Sequence, residues 1–128
     1  MERHKQYQGK KVVVTGAAGF IGSHLCEALV NVGANVIGLD DLSAGKLKNV
    51  AFLRGRENFK FIQKSINSID EEMDDIFNGA YAVFNNAASK KNICLLDPQK
   101  DLLVNGGGAL NLLGFAKKHG VERFVHAS

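Results

Sequence analysis

The sequence predicts an α/β protein, a doubly wound parallel sheet with helices on both faces. Three observations lead there. Short β-branched and apolar runs alternate with stretches of helical period along the whole chain. Nearly every helical stretch is closed by a glycine, at Gly33, Gly79 and Gly120. Strands alternating with helices of this kind indicate βαβ units, and the right-handed crossover rule then gives the strand order 3-2-1-4-5.

Lys11–Thr15 reads as the first strand, with Val12, Val13 and Val14 ending at Gly16. From Gly19 to Val32 the residues Ile21, Leu25, Ala28, Leu29 and Val32 recur at helical spacing and predict the buried stripe of a helix. Asn35–Leu39 is the second strand, closed by Asp40 and Asp41. Leu42–Gly55 is polar and predicts a loop with a short helical turn. Phe59–Gln63 is the third strand. Ser68 has Glu71 three positions on, the pattern of an N-cap, and a helix follows to about Phe77. Tyr81–Asn85 is the fourth strand. A loop with the only proline, Pro98, leads to a helix from about Lys100 to His119, and Arg123–Ala127 is the fifth strand. Gly106, Gly107 and Gly108 fall inside the last helical pattern at roughly 1 kcal/mol each against alanine. Either that helix starts later, or a close backbone approach is wanted there.

Composition narrows the function classes. At 128 residues the chain holds one domain, and 45% hydrophobic with 23% charged residues is an ordinary globular mix. A net charge of +3, with scattered cations, gives no basic stripe for nucleic acid. No stretch approaches the ~18 apolar residues of a membrane span, and Met1–Gln6 has charges with no apolar segment behind them, unlike a secretory signal. Cys26 and Cys94 form no CxxC pair, Cys26 reading as a buried small hydrophobe, and the four histidines are far apart. A reducing, cytoplasmic setting without a metal site is the expectation.

The chemistry lies after the first strand. Thr15-Gly16-Ala17-Ala18-Gly19-Phe20-Ile21-Gly22 opens directly into the first helix. Gly16 lets the chain turn sharply, Gly19 leaves room where the helix N-terminus would meet a pyrophosphate, and Gly22 lets the helix lie close on the sheet. Asp40 stands eighteen residues past Gly22, where a carboxylate accepts both ribose hydroxyls of an adenosine. It would repel a 2′-phosphate, and no Arg follows immediately, so NAD is favoured over NADP. The bland alternative is that the glycines serve a tight turn and Asp40-Asp41 caps a loop.

These residues carry a resemblance. Val12–Gly22 resembles the extended short-chain dehydrogenase/reductase group, specifically the NAD-dependent nucleotide-sugar epimerases and dehydratases of the UDP-glucose 4-epimerase type, a Rossmann fold. Val36–Ser43 resembles the family's second strand and ribose loop, Phe84–Lys90 its fourth-strand segment, Asn105–Leu113 its helix bearing Asn-x-x-Gly-Thr, and Gly120–Ser128 the approach to its catalytic serine strand. The resemblance implies NAD contacts from Gly16, Ala18, Gly19, Phe20, Ile21, Gly22, Asp40, Asp41, Leu42, Ser43, Ser65, Ile66, Asn86, Ala87, Ala88, Lys90 and Asn105. A solvated surface pair is the alternative reading of Lys90 and Lys91. The sequence departs from the family in three places: Ser65 and Ile66 stand where an Asp usually meets the adenine amino group, Asn85 replaces a His, and Ala109 replaces a Thr.

The resemblance also implies a Tyr with a Lys four residues on as the catalytic acid–base pair. Tyr7, with Lys11 four residues on, precedes the fold, Tyr81 has Asn85 at the fourth place, and no other catalytic set substitutes, so no catalytic residue is assigned. Residues 1–10 read as an N-terminal extension and 11–128 as an incomplete NAD-binding domain, stopping before the remaining strands and the substrate domain, with an apolar patch left on the last strands and helix. The expectation is the NAD-binding portion of a nucleotide-sugar epimerase or dehydratase, inactive by itself. Its nucleotide-sugar substrate binds only a full-length form, and a homo-oligomer is compatible with it. A stand-alone nucleotide-binding or regulatory module without turnover is the alternative from a different class.

Overall fold

A computed structural model describes residues 5–87 and 107–127. Five parallel strands form one sheet in the order β3-β2-β1-β4-β5, as the crossover rule requires. They are β1 (Lys11–Thr15), β2 (Asn35–Asp40), β3 (Phe59–Gln63), β4 (Ala80–Asn85) and β5 (Arg123–His126). The central strand β1 pairs in parallel with β2, Val13 opposite Ile37, and with β4, Val13 opposite Val83. Helices α1 (Phe20–Asn31), α2 (Glu71–Phe77) and α3 (Ala109–Lys118) make the crossovers, and two 3-10 turns, Leu47–Asn49 and Ala51–Leu53, occupy the polar segment after β2. Helix α3 runs C-terminal to the glycine triplet. The sequence-predicted stretch upstream of it, from Lys100, lies outside the described residues.

The alternation of side chains along β1 divides the core in two. Val12 and Val14 face α1, with Cys26, Leu29, Val30, Val36 and Ala82. Val13 faces the other way, onto Met73 and Phe77 of α2 and Leu112 and Phe115 of α3, where the rings of Phe77 and Phe115 lie 5.6 Å apart. Residues ahead of β1 join the first layer: Tyr7 packs against Tyr81 and Phe84, and Gly9 donates its N–H to the Gly33 carbonyl. Cys26 is a free, buried thiol whose pKa is pushed up to about 12 by burial. Leu110, Leu113 and Val125 are exposed on α3 and β5. Among the described residues, no helix is long and apolar enough to cross a membrane.

Two local expectations are corrected. The buried face of α1 is Gly22, Ser23, Cys26, Leu29 and Val30, while Ile21 is 68% exposed and Ala28 also faces out. The phase is set at the helix start: a Cβ on Gly22 would lie 2.0 Å from the Gly16 carbonyl oxygen. Glycine must therefore face the loop, and residues one and two turns on follow it inward. The N-cap of α2 is Asp70, whose carboxylate accepts from the Met73 N–H at 2.9 Å. Ser68 belongs instead to a turn, donating its N–H to the Ser65 carbonyl.

Candidate functional site

Strand order reverses between β1 and β4, and their C-terminal ends open a crevice at that switch point, the place where open α/β sheets bind ligands. A cleft of about 490 Å³ lies there, within the range of small-molecule sites. Of the sequence-predicted residues, Gly16, Gly19, Phe20, Asp40, Asp41, Ser43, Ser65, Ile66, Asn86 and Ala87 line it. Ala88, Lys90 and Asn105 lie outside the described residues.

The glycine loop forms one wall. Gly16 has φ +66°, and a Cβ there would lie 2.7 Å from the Asn86 carbonyl group. The left-handed turn and the contact with the segment after β4 both require glycine at this position. Gly19 precedes α1 in an extended conformation, and no side chain caps the helix. No acidic residue occupies its first turn either, so the positive end of the helix dipole faces the cleft unneutralised. A Cβ on Gly19 would meet only the Gly16 carbonyl oxygen, at 3.3 Å.

Asp40 forms the adjoining wall, bonded to the glycine loop. It is 9% exposed, with Oδ2 accepting from the Ala18 N–H at 2.9 Å and Oδ1 from the Leu42 N–H at 2.8 Å. Two more contacts fold the following loop over the glycine loop: Lys46 N–H donates to the Ala18 carbonyl at 3.0 Å, and Asn49 Nδ2 to the same carbonyl at 2.7 Å. Asp41 Oδ1 accepts from the N–H and the hydroxyl of Ser43. Ala18, Gly22 and Leu42 thus act behind the surface, as the tether of Asp40, the helix contact and the second tether. Ile21 is turned to solvent beside the helix start and does not line the cleft.

The third side is the end of β3 and the segment after β4. Lys64 N–H donates to the Asp40 carbonyl, while its ammonium bridges Asp70 at 2.7 Å and Glu72 at 2.8 Å. These two carboxylates raise its pKa. Thr15 Oγ1 accepts from the N–H groups of Asn86 and Ala87 at 3.2 and 3.3 Å. The buried Asn86 Nδ2 has no hydrogen-bond partner among the described residues.

Sequence reasoning missed Leu39, Ala44, Gly45, Lys46, Lys48, Asn49 and Lys64, which also line the cleft. One signal was available. Gly45 follows an acidic strand end within a polar loop, and a Cβ there would lie 2.7 Å from Asp40 Oδ2. Neither tyrosine reaches the site. Tyr7 and Tyr81 meet edge to face with ring centroids 6.0 Å apart, and the Tyr81 hydroxyl accepts from Arg123 Nε near the start of β4 and β5. The arrangement suits an anion at a helix N-terminus and a diol at a buried carboxylate. It offers no tyrosine base.

A family model described as the NAD dependent epimerase/dehydratase family matches residues 12–128. The chain is 37% identical over 114 residues to UDP-glucuronic acid decarboxylase 1 of Danio rerio, covering 88% of this chain and 26% of the relative. It is similar to the solved structure of an epimerase from Methanothermobacter thermautotrophicus, with TM-score 0.91 and 42% identity over 100% of this chain and 38% of that one. It is also similar to UDP-glucose 4-epimerase of Thermus thermophilus, solved as a complex with NAD, with TM-score 0.74 and 34% identity over 89% of this chain and 36% of that one. The chain spans well under half the length of each.

Proposed function

Because the chain belongs to the NAD dependent epimerase/dehydratase family, we propose that it is the NAD-binding portion of a nucleotide-sugar epimerase or dehydratase. The observation that carries the reading is that an uncapped helix N-terminus at Gly19 and the doubly tethered carboxylate of Asp40 line one cleft. A dinucleotide needs both features, an electropositive seat for its pyrophosphate and an acceptor for its ribose hydroxyls.

The residues fit that group. Gly16, Gly19 and Phe20 would hold the pyrophosphate, Asp40 and Ser43 the adenosine ribose, and Ser65 and Ile66 the base. Asn86 and Ala87 would line the path onward, joined by Ala88, Lys90 and Asn105 on the strength of the family resemblance alone. Bound NAD supplies hydride exchange with a sugar carbon. The chain's own part is to orient that cofactor and keep its adenosine end out of water. A nucleotide sugar is the proposed substrate of a longer form, in a cytoplasmic setting that suits the free thiol of Cys26. The second reading is a nucleotide-binding module without turnover, favoured by the absence of a tyrosine from the cleft among the described residues.

Isothermal titration tests the proposal. NAD binds the chain more tightly than NADP, and Asp40→Ala weakens NAD and narrows the gap between the two. No NAD binding, or tighter binding of NADP by the unmutated chain, refutes it.

A further inference from the structure

We infer that Asn111 is a positioning residue for the Ser65–Ile66 wall of the cleft, an inference that rests on the dinucleotide reading above. Asn111 sits in the first turn of α3, part-buried, and does not line the cleft. Its Nδ2 donates one hydrogen to the Ile66 carbonyl at 2.7 Å and the other to the Ser68 carbonyl at 3.0 Å. Both partners are carbonyls, so the orientation of the amide is fixed by the chemistry, since an oxygen facing them would be repelled.

Those carbonyls belong to the connection from β3 to α2. Within it, Ser65 closes a turn, accepting from Asn67 N–H through its hydroxyl and from Ser68 N–H through its carbonyl. The turn satisfies its own inward groups and leaves the Ile66 and Ser68 carbonyls pointing away, toward α3. One short amide with two diverging hydrogens spans both. A serine has one hydrogen to give, and an aspartate of the same shape has none at neutral pH. The clasp is rigid from behind as well: Leu112, the next residue, is fully buried, and the Ile66 side chain is held in the same core layer. Ser65 and Ile66 are therefore fixed by a helix packed in the same core layer, and Asn111 holds that wall from behind without lining the cleft.

The test compares Asn111→Asp and Asn111→Ala with Asp74→Asn. The last variant also weakens the α2–α3 contact, by removing the partner of Lys118 and His119, but does so away from the cleft. Each chain is titrated with NAD and with ADP, and its melting temperature is measured. The expected result is about tenfold weaker binding of both ligands for Asn111→Asp, the order expected for two lost hydrogen bonds. Asn111→Ala, which admits water, shows a smaller loss. Asp74→Asn binds as the unmutated chain does despite its own drop in melting temperature. If Asn111→Asp does not fold, Asn111→Ala carries the comparison. An Asn111 variant that binds no more weakly than Asp74→Asn overturns the inference and leaves the dinucleotide reading intact. So does a loss confined to NAD and absent with ADP. An unmutated chain that binds neither ligand overturns the underlying reading, and the inference with it.

Discussion

The Thr15 hydroxyl donates to the Asn85 side-chain carbonyl at 2.5 Å, across the pair of β1 and β4 and with both residues buried. Asn85 Nδ2 then meets His126 Nδ1 at 3.0 Å, the amide nitrogen donating to the ring nitrogen. A line of hydrogen bonds thus ties the C-terminal ends of β1, β4 and β5, at the position where the sequence departs from the family's usual His. The same Thr15 oxygen receives the N–H groups of Asn86 and Ala87.

Removing that hydroxyl should therefore strand several buried groups at once. Thr15→Val keeps the shape and is expected to lose about 1–3 kcal/mol of stability, the cost of buried polar groups left unpaired. Thr15→Ser should restore most of it. Urea denaturation of the three chains measures both effects, and an unchanged midpoint for Thr15→Val would show that the network contributes nothing.

The two glycines flanking the start of α1 should separate binding from folding. Gly19→Val places a side chain at the helix N-terminus with only one near neighbour, the Gly16 carbonyl. It should abolish NAD binding and leave the circular dichroism of the fold intact. Gly22→Ala adds a single methyl, but that carbon would overlap the Gly16 carbonyl oxygen, backbone that cannot swing aside. It should cost the fold itself, seen as a lowered melting temperature. A Gly19→Val chain with normal affinity would return the glycines to a turn-forming role alone.

How much of this was legible beforehand follows from the range of the forces involved. The strands were readable because β-branched runs such as Val12–Val14 carry their preference locally, and Asp40 was readable from its spacing to Gly22. The face of α1 was not. It is set by one contact between Gly22 and the Gly16 carbonyl, so a stripe counted from Ile21 came out rotated. The clasps were invisible for the same reason. Asn49 and Asn111 find their carbonyls only when segments distant in sequence are brought together, and a lone Asn in a polar stretch gives no sign of this.

Acid should destabilise the chain through two carboxylates, the exposed Asp70 and the half-buried Asp74. Hydrogen bonds from the Lys64 ammonium and the Met73 N–H hold Asp70 below its ordinary value of 3.8. Lys118, and after it His119, do the same for Asp74. Since the folded pKa values lie below the unfolded ones, this stability is fully present above about pH 4 and is lost as pH falls through the folded values. The urea midpoint should drop as pH falls below about 4, and the drop should shrink in an Asp70→Asn, Asp74→Asn double variant. A double variant with an unaltered pH profile would assign acid sensitivity elsewhere.

The 128 residues should show no epimerase, dehydratase or dehydrogenase activity by themselves. A base for the sugar hydroxyl proton contributes typically 10²–10⁴-fold, and Tyr7 and Tyr81 pack edge to face away from the cleft. Incubation with NAD and a panel of UDP-, GDP- and dTDP-sugars, followed by chromatography, checks this. Turnover above a Gly19→Val control would mean that a catalytic group lies among these residues unrecognised.

The strand order has a consequence for synthesis on the ribosome. β1 is the first strand to emerge and lies at the middle of the sheet, flanked by β2 on one edge and β4 on the other. Its first partner follows after one helix, but the second begins only at Ala80. At roughly 5–20 residues per second, the valine-rich edge of β1 stays open for several seconds while the intervening chain is made. An unpaired edge of that composition is a template for wrong partners. Slowed translation between β2 and β4 should therefore raise aggregation of the nascent chain, whereas the same pause placed after His126, with both partners of β1 already made, should not.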